Sequence, residues 1–146
     1  MLIRPAALRD ADAISELVCA AYAPYVARIG KPPAPMLEDY RQVIENAQVH
    51  VLERDGIQGV LVLEHDGERL LLQNVAVAAS AQGLGLGRQL MSFAEQQALE
   101  QGCTAIELYT NEAMGENVVF YERLGYRQTR RAVEQGYARV FMRKVL

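Results

Sequence analysis

The spacing of apolar residues changes period along the chain, and each change marks an element. Leu2-Ile3-Arg4-Pro5 reads as a short first strand whose proline suits a strand end or a sheet edge. Ile14, Leu17, Val18 and Ala21 then recur at i, i+3, i+4 and i+7, which predicts an amphipathic helix capped by Asp10 or Asp12. From Tyr22 to Pro35 that period dissolves among prolines, predicting a stiffened connector. A second helix is expected from Leu37 to Asn46, with Leu37, Tyr40 and Ile44 turned inward. His50 to Arg54, Ile57 to Glu64 and Leu70 to Val77 carry strand patterning. The pairs Asp55-Gly56 and Asp66-Gly67 between them are tight-turn signals, so the three strands form an antiparallel meander.

After Val77 the pattern changes again. Small residues, Ala78-Ala79-Ser80-Ala81, lead into Gln82-Gly83-Leu84-Gly85-Leu86-Gly87 and then a helix from Arg88 to Gln101. That helix sets Leu90, Met91, Ala94 and Ala98 on one side, and Gly102 is placed to stop it. Ala105 to Thr110 reads as a strand, parallel to Leu70–Val77 because a helix crosses between them. A short helix from Glu116 to Leu124 ends at Gly125, and two last strands, Tyr126 to Ala132 and Ala138 to Val145, join at Gln135-Gly136. The expectation is one α/β (α+β) domain over 1–146. Its central sheet is mixed but mostly antiparallel, with six to seven strands flanked by about four helices.

Composition supports a folded domain: 146 residues, 51% hydrophobic and 23% charged. A net charge of −3 argues against a nucleic-acid partner, which leaves a basic footprint. No apolar run approaches the ~20 residues of a membrane span, and the first residues lack the charged and apolar regions of a signal peptide. Cys19 and Cys103 are far apart without a CxxC spacing and are expected to be buried free thiols in a reducing compartment. The cytoplasm is the expected location. His50 and His65 have no companions at metal-ligand spacing, so no metal is expected.

The chemistry concentrates where the Leu70–Val77 strand meets the glycine-rich turn. Glycines allow close backbone approach, and the first turn of a helix offers unpaired amides and a positive dipole end, so this turn is an anion site suited to diphosphate. It is not a P-loop, because Gly87 is followed by Arg88-Gln89 and not by Lys-Ser/Thr. Nor is it a dinucleotide fingerprint: the third glycine is replaced by Leu90 or Arg88, and a meander precedes the turn.

The spacing Gln82-x-x-Gly85-x-Gly87, after Asn74-Val75-Ala76-Val77, resembles the acetyl-CoA motif of the GCN5-related N-acetyltransferase (GNAT) family. A second stretch, Asn117-Val118-Val119-Phe120-Tyr121-Glu122-Arg123-Leu124-Gly125-Tyr126, is similar to that family's other signature. The order of elements matches as well, so the resemblance covers most of the chain and is weakest from Tyr22 to Asn46. It implies a splayed parallel strand pair and direct transfer of acetyl from acetyl-CoA to a primary amine of a small molecule, amino acid or peptide. A non-catalytic CoA-binding domain is the alternative.

The resemblance also implies roles for particular residues. Amides from Gln82, Gly83, Leu84, Gly85, Leu86, Gly87 and Arg88 hold the pyrophosphate. Val75 and Val77 pair with pantetheine as with a false strand, and the amide of Val75 or Ala76 stabilises the oxyanion. Asn117 bonds the cofactor, and Tyr121 protonates the departing thiolate. Where some family members carry a glutamate base, this chain has Gln73 and Asn74, leaving Glu107, Glu112, Glu38 or a water chain as candidates. Arg28 and Lys31 are candidates for binding an acceptor carboxylate, and Glu38 and Asp39 for drawing in an amine. Family analogy further implies a homodimer through the C-terminal strands.

Overall fold

The computed structural model describes residues 2–146. In chain order the elements are β1 (Leu2–Pro5), α1 (Ala11–Tyr22), α2 (Val26–Ile29), α3 (Tyr40–Asn46), β2 (Gln48–Glu53), β3 (Ile57–Asp66) and β4 (Arg69–Val77). There follow α4 (Leu86–Glu100), β5 (Ala105–Asn111), α5 (Gly115–Arg123), β6 (Arg127–Glu134) and β7 (Tyr137–Val145). The seven strands form one sheet in the order β1-β2-β3-β4-β5-β7-β6. Only β4 and β5 run parallel, as required when a helix connects them. Of the three expected turn pairs, one leaves Asp66 in β3 with only Gly67 left-handed, at φ 63°, and two carry two left-handed residues: Asp55 and Gly56 at φ 53° and 95°, Gln135 and Gly136 at φ 53° and 80°. That geometry matches the right-handed twist of the flanking strands.

A single extra residue reorganises β4. Val62 pairs with Asn74 but Leu63 pairs with Leu72, so Gln73 is a bulge. Side chains alternate along a strand, so one inserted residue moves everything after it to the opposite face. Leu70 and Leu72 therefore belong to the core under α4 and α5, with Leu90, Met91, Ile106, Tyr121 and Met142. Ala76 belongs to the second core, under α1 and α3, with Ile14, Val18, Tyr40 and Val60. Asn74 turns to the same side and meets Tyr22 and Tyr40.

Four expectations need correction. The Tyr22–Pro35 connector, expected as a stiffened loop, carries helical turns at Ala23–Tyr25, Val26–Ile29 and Ala34–Leu37. Leu37 does not face inward; it is 68% exposed. The turn that holds it ends at extended Glu38, and α3 starts afresh at Tyr40, with Asp39 accepting from the Arg41 amide at 3.1 Å. The fourth helix begins at Leu86, two residues early, because Gly85 takes φ +79° and admits the chain to the helix there. Of the cysteines, Cys103 is buried as expected but Cys19 is only partly so, and both are free.

Candidate active site

The ladder between β4 and β5 stops where Leu72 faces Leu108, although β4 continues to Val77 and β5 to Asn111. Past that rung the strands part and leave a slot. The opposite edge of β4 stays paired to β3 through Asn74, Val75, Ala76 and Val77. The Ala78 amide donates to the Gln58 carbonyl at 2.8 Å. Peptide groups alternate between the two edges of a strand. Counting back from Ala78, Ala76 and Asn74 turn their amides to β3, while Val75 and Val77 turn theirs into the slot.

The glycine turn closes one end. Gln82, Gly83, Gly85, Leu86, Gly87 and Arg88 line a cleft of about 410 Å³ together with Val75, Val77, Asn117, Phe120 and Tyr121. The amides of Leu86, Gly87 and Arg88 stand in the first turn of α4, where no intrahelical acceptor exists. Gly83 (φ +82°) and Gly85 (φ +79°) carry the backbone in a conformation open to glycine, and nothing lies within 4 Å of where a Cβ would stand. That open, amide-lined cradle fits a diphosphate. Of the residues expected there, Leu84 does not line the cleft; its side chain is 56% exposed.

Tyr121 sits at the centre. It is buried on α5, one turn after Asn117, and both residues line the cleft and a neck of about 60 Å³ beneath it. Its hydroxyl is neither sealed in the core nor hydrogen-bonded to a protein group among the described residues, in contrast to Tyr126, whose hydroxyl is enclosed without a partner. Burial, and then the neighbouring Tyr126, push the Tyr121 phenol well above its ordinary pKa of 10. It is thus held protonated.

The neck leads to an outer cleft of about 470 Å³ on the other face of the sheet, sharing Gln73, Asn74 and Tyr109 with it. A hydrogen-bonded chain borders the passage. Tyr22 donates to Asn74 Oδ1 at 2.8 Å, Asn74 Nδ2 to the Tyr40 hydroxyl at 3.3 Å, and Tyr40 to the Pro35 carbonyl at 2.6 Å. The position is therefore occupied by a satisfied amide. Burial raises the Tyr22 phenol far above its ordinary value.

The three candidate carboxylates stand away from the neck. Glu107 lies along the outer cleft, paired with Arg69 at 2.9 Å and with Arg143 at 3.9 Å, and Glu38 lines the same cleft. Glu112 pairs with Arg131 at 2.9 Å. Arg28 and Lys31 line neither the neck nor the two clefts. Arg28 pairs with Glu116 at 2.6 Å and donates to the Ala113 carbonyl, and Lys31 stacks on the Tyr137 ring at 3.9 Å. These contacts tie the connector to α5 and to the turn between β6 and β7. Asp39 caps α3.

Sequence reasoning missed Arg139. On β7, it lines the neck with its side chain 10% exposed, stacks on the Tyr109 ring at 4.2 Å and pairs with Glu134 at 3.0 Å. The signal was present as Tyr137-x-Arg139-x-Phe141, an aromatic–cation stripe at strand period. Among the described residues, no three His, Cys, Asp or Glu side chains are grouped to hold a metal, and no helix is long and apolar enough to cross a membrane.

Comparison with known proteins agrees with this geometry. The acetyltransferase (GNAT) domain family matches residues 45–128, and the chain belongs to the GNAT acetyltransferase family. No curated protein sequence matches it. Among solved structures it resembles the ribosomal-protein-S18-alanine N-acetyltransferase of Escherichia coli, with a TM-score of 0.81, 17% identity, and coverage of 99% of this chain and 92% of that one. It also resembles the PaiA N-acetyltransferase of Thermoplasma acidophilum, solved in complex with coenzyme A (TM-score 0.82, 16% identity, 99% and 98% covered). A third is the ribosomal-protein-alanine N-acetyltransferase of Brucella melitensis (TM-score 0.77, 22% identity, 100% of both chains covered). These likenesses are of fold. The expected mixed sheet with a splayed parallel pair is the one observed.

Proposed function

We propose that this acetyltransferase acts on a primary amine of a small molecule, amino acid or peptide, with the slot between β4 and β5 as the place of transfer. The observation that carries the reading is the position of Tyr121, which touches both the diphosphate-fitting cleft and the neck open to the outer cleft. Bound acetyl-CoA supplies an acetyl thioester, so that a new N–C bond replaces the C–S bond.

The remaining roles fall to the chain. Amides of Gly83 to Arg88, with Gln82, hold the diphosphate, and the α4 dipole adds about 0.3–1 kcal/mol. Val75 and Val77 turn amides and carbonyls toward pantetheine. The Val75 amide is the donor for charge growing on the carbonyl oxygen, since that of Ala76 points to β3. Asn117 positions the cofactor alongside Tyr121. The Tyr121 hydroxyl, which burial keeps protonated, gives its proton to the leaving sulfur and is reprotonated through water by the proton the acceptor amine releases. The acceptor amine loses its proton to water, because no carboxylate or histidine lines the neck.

Release of free thiol from acetyl-CoA across a panel of amines tests the proposal. Amine-dependent release supports it. Binding of acetyl-CoA without release on any amine identifies a non-catalytic CoA-binding domain.

A further inference from the structure

The neck contains one formal charge. Among its lining residues Arg139 is the sole cation, and none is an acid or a histidine. A guanidinium with its side chain 10% exposed is costly to bury unless its donors are used. Glu134 takes only Nη1, and this carboxylate is itself 41% exposed. The Nε and Nη2 groups donate to no protein acceptor among the described residues and are not sealed in the core. The Tyr109 ring at 4.2 Å and the Tyr137 ring at 5.8 Å hold the plane in place, and Tyr137 is anchored through its hydroxyl to the Pro32 carbonyl at 2.6 Å. The result is a fixed fork with two spare donors beside the reaction centre, the geometry that matches a carboxylate.

We infer that Arg139 is the specificity-determining anchor for a carboxylate on the acceptor, and that the acceptor is an α-amino acid entering amine-first, with its side chain in the outer cleft. The inference deepens the proposed function and rests on it for the identity of the transfer site.

Size and charge agree. A neck of about 60 Å³ admits a small zwitterionic head group and little else, while the outer 470 Å³ cleft offers Tyr109, Phe141, Leu71 and Pro35 to a side chain. A lysine-type ammonium approaching alone meets a cation with no compensating acid. An amino acid brings its own anion, and pairing that carboxylate with Arg139 removes the charge that otherwise holds the ammonium protonated. The absence of a carboxylate base then becomes intelligible: the guanidinium favours the neutral, nucleophilic amine that Asn74 cannot generate.

The test is equilibrium binding to the CoA-loaded protein, which does not depend on turnover. N-acetyl-leucine, N-acetyl-methionine, N-acetyl-phenylalanine and N-acetyl-glutamine are titrated beside their C-terminal amides, with wild type, Arg139→Gln, Arg139→Lys and Glu134→Gln. At least one acid is expected to bind about tenfold or more tightly than its amide. That ratio is expected to collapse to about twofold in Arg139→Gln, to recover partly in Arg139→Lys, and to persist in Glu134→Gln. CoA affinity of each variant serves as the folding control, and should Arg139→Gln lose it, the Lys and Glu134 variants decide. Equal binding of acids and amides, no binding of any acid, or a ratio that survives Arg139→Gln overturns the anchor. Acid-selective binding with no acetylation of any amine leaves the anchor standing and overturns the transferase reading instead.

Discussion

Tyr22 donates its hydroxyl hydrogen to Asn74 Oδ1 across 2.8 Å, tying the last turn of α1 to β4 just beyond the bulge. Were the strand regular through Gln73, Asn74 would share a face with Leu72 and point into the core beneath α4. The pairing to β5 ends beside the bulge at Leu72, and the bulge carries a polar side chain to the α1 and α3 side of the sheet, where two tyrosines use both ends of its amide.

Replacing that amide by an apolar isostere tests the arrangement. Asn74→Leu leaves the buried Tyr22 hydroxyl without its acceptor, a loss of about 1–3 kcal/mol in unfolding free energy. Urea denaturation reads it. An unchanged midpoint means that Tyr22 finds water there and that the chain of bonds is not structural.

Tyr121→Phe keeps the ring packing against Phe120 and Tyr126, at 5.4 and 5.9 Å between centroids, and removes only the proton donor. The turnover number is expected to fall by about a hundredfold or more, with acetyl-CoA affinity within a factor of about two. Steady-state kinetics beside calorimetry of binding separates the two quantities; a loss confined to affinity would assign Tyr121 to packing.

The pH profile carries a second signature of the same residue. Because burial holds the Tyr121 phenol above its ordinary value of 10, it stays protonated throughout the working range. The rate is expected to rise with pH as the acceptor amine deprotonates and to show no Tyr-dependent decline up to about pH 9.5. A descending limb near pH 8 that disappears in Tyr121→Phe contradicts this assignment.

Acid stability has a separate origin. Asp10 is nearly buried and accepts two hydrogen bonds from Arg4, at 2.9 and 3.1 Å, and one from the Ala7 amide at 2.7 Å. Chiefly the Arg4 guanidinium, and then that amide, hold its carboxyl below the ordinary 3.8 against the opposing effect of burial. A lowered native pKa means that the unfolded chain takes up the proton first. The stabilisation is complete above about pH 4 and is lost as the pH falls through the native value. Asp10→Asn is expected to cost about 2 kcal/mol at neutral pH and much less at pH 2, read from melting curves at the two pH values.

Much of this was legible in the chain because local chemistry dictated it. Asp55-Gly56 and Gln135-Gly136 fix hairpins through their left-handed φ angles, and the Ile14–Ala21 period fixes α1. The glycine turn was legible as the entry to α4, and Tyr121 as part of a short helix that lines the same cleft. Other features depend on pairings between distant residues. The Gln73 bulge is a register shift between β3 and β4, and nothing in Leu72-Gln73-Asn74 announces it. The contacts of Arg28 and Lys31 are with Glu116 and Tyr137, which lie 88 and 106 positions further along the chain. Arg139 looked like one more polar position on an edge hairpin until Tyr109 was placed beneath it by the pairing of β5 with β7.

A crystal structure of the protein with coenzyme A bound measures the central claim most directly. The diphosphate is expected on the amides between Gly83 and Arg88, pantetheine between β4 and β5, and the sulfur within hydrogen-bond reach of the Tyr121 hydroxyl. Coenzyme A seated elsewhere, with the Val75 and Val77 amides facing solvent alone, would contradict the account.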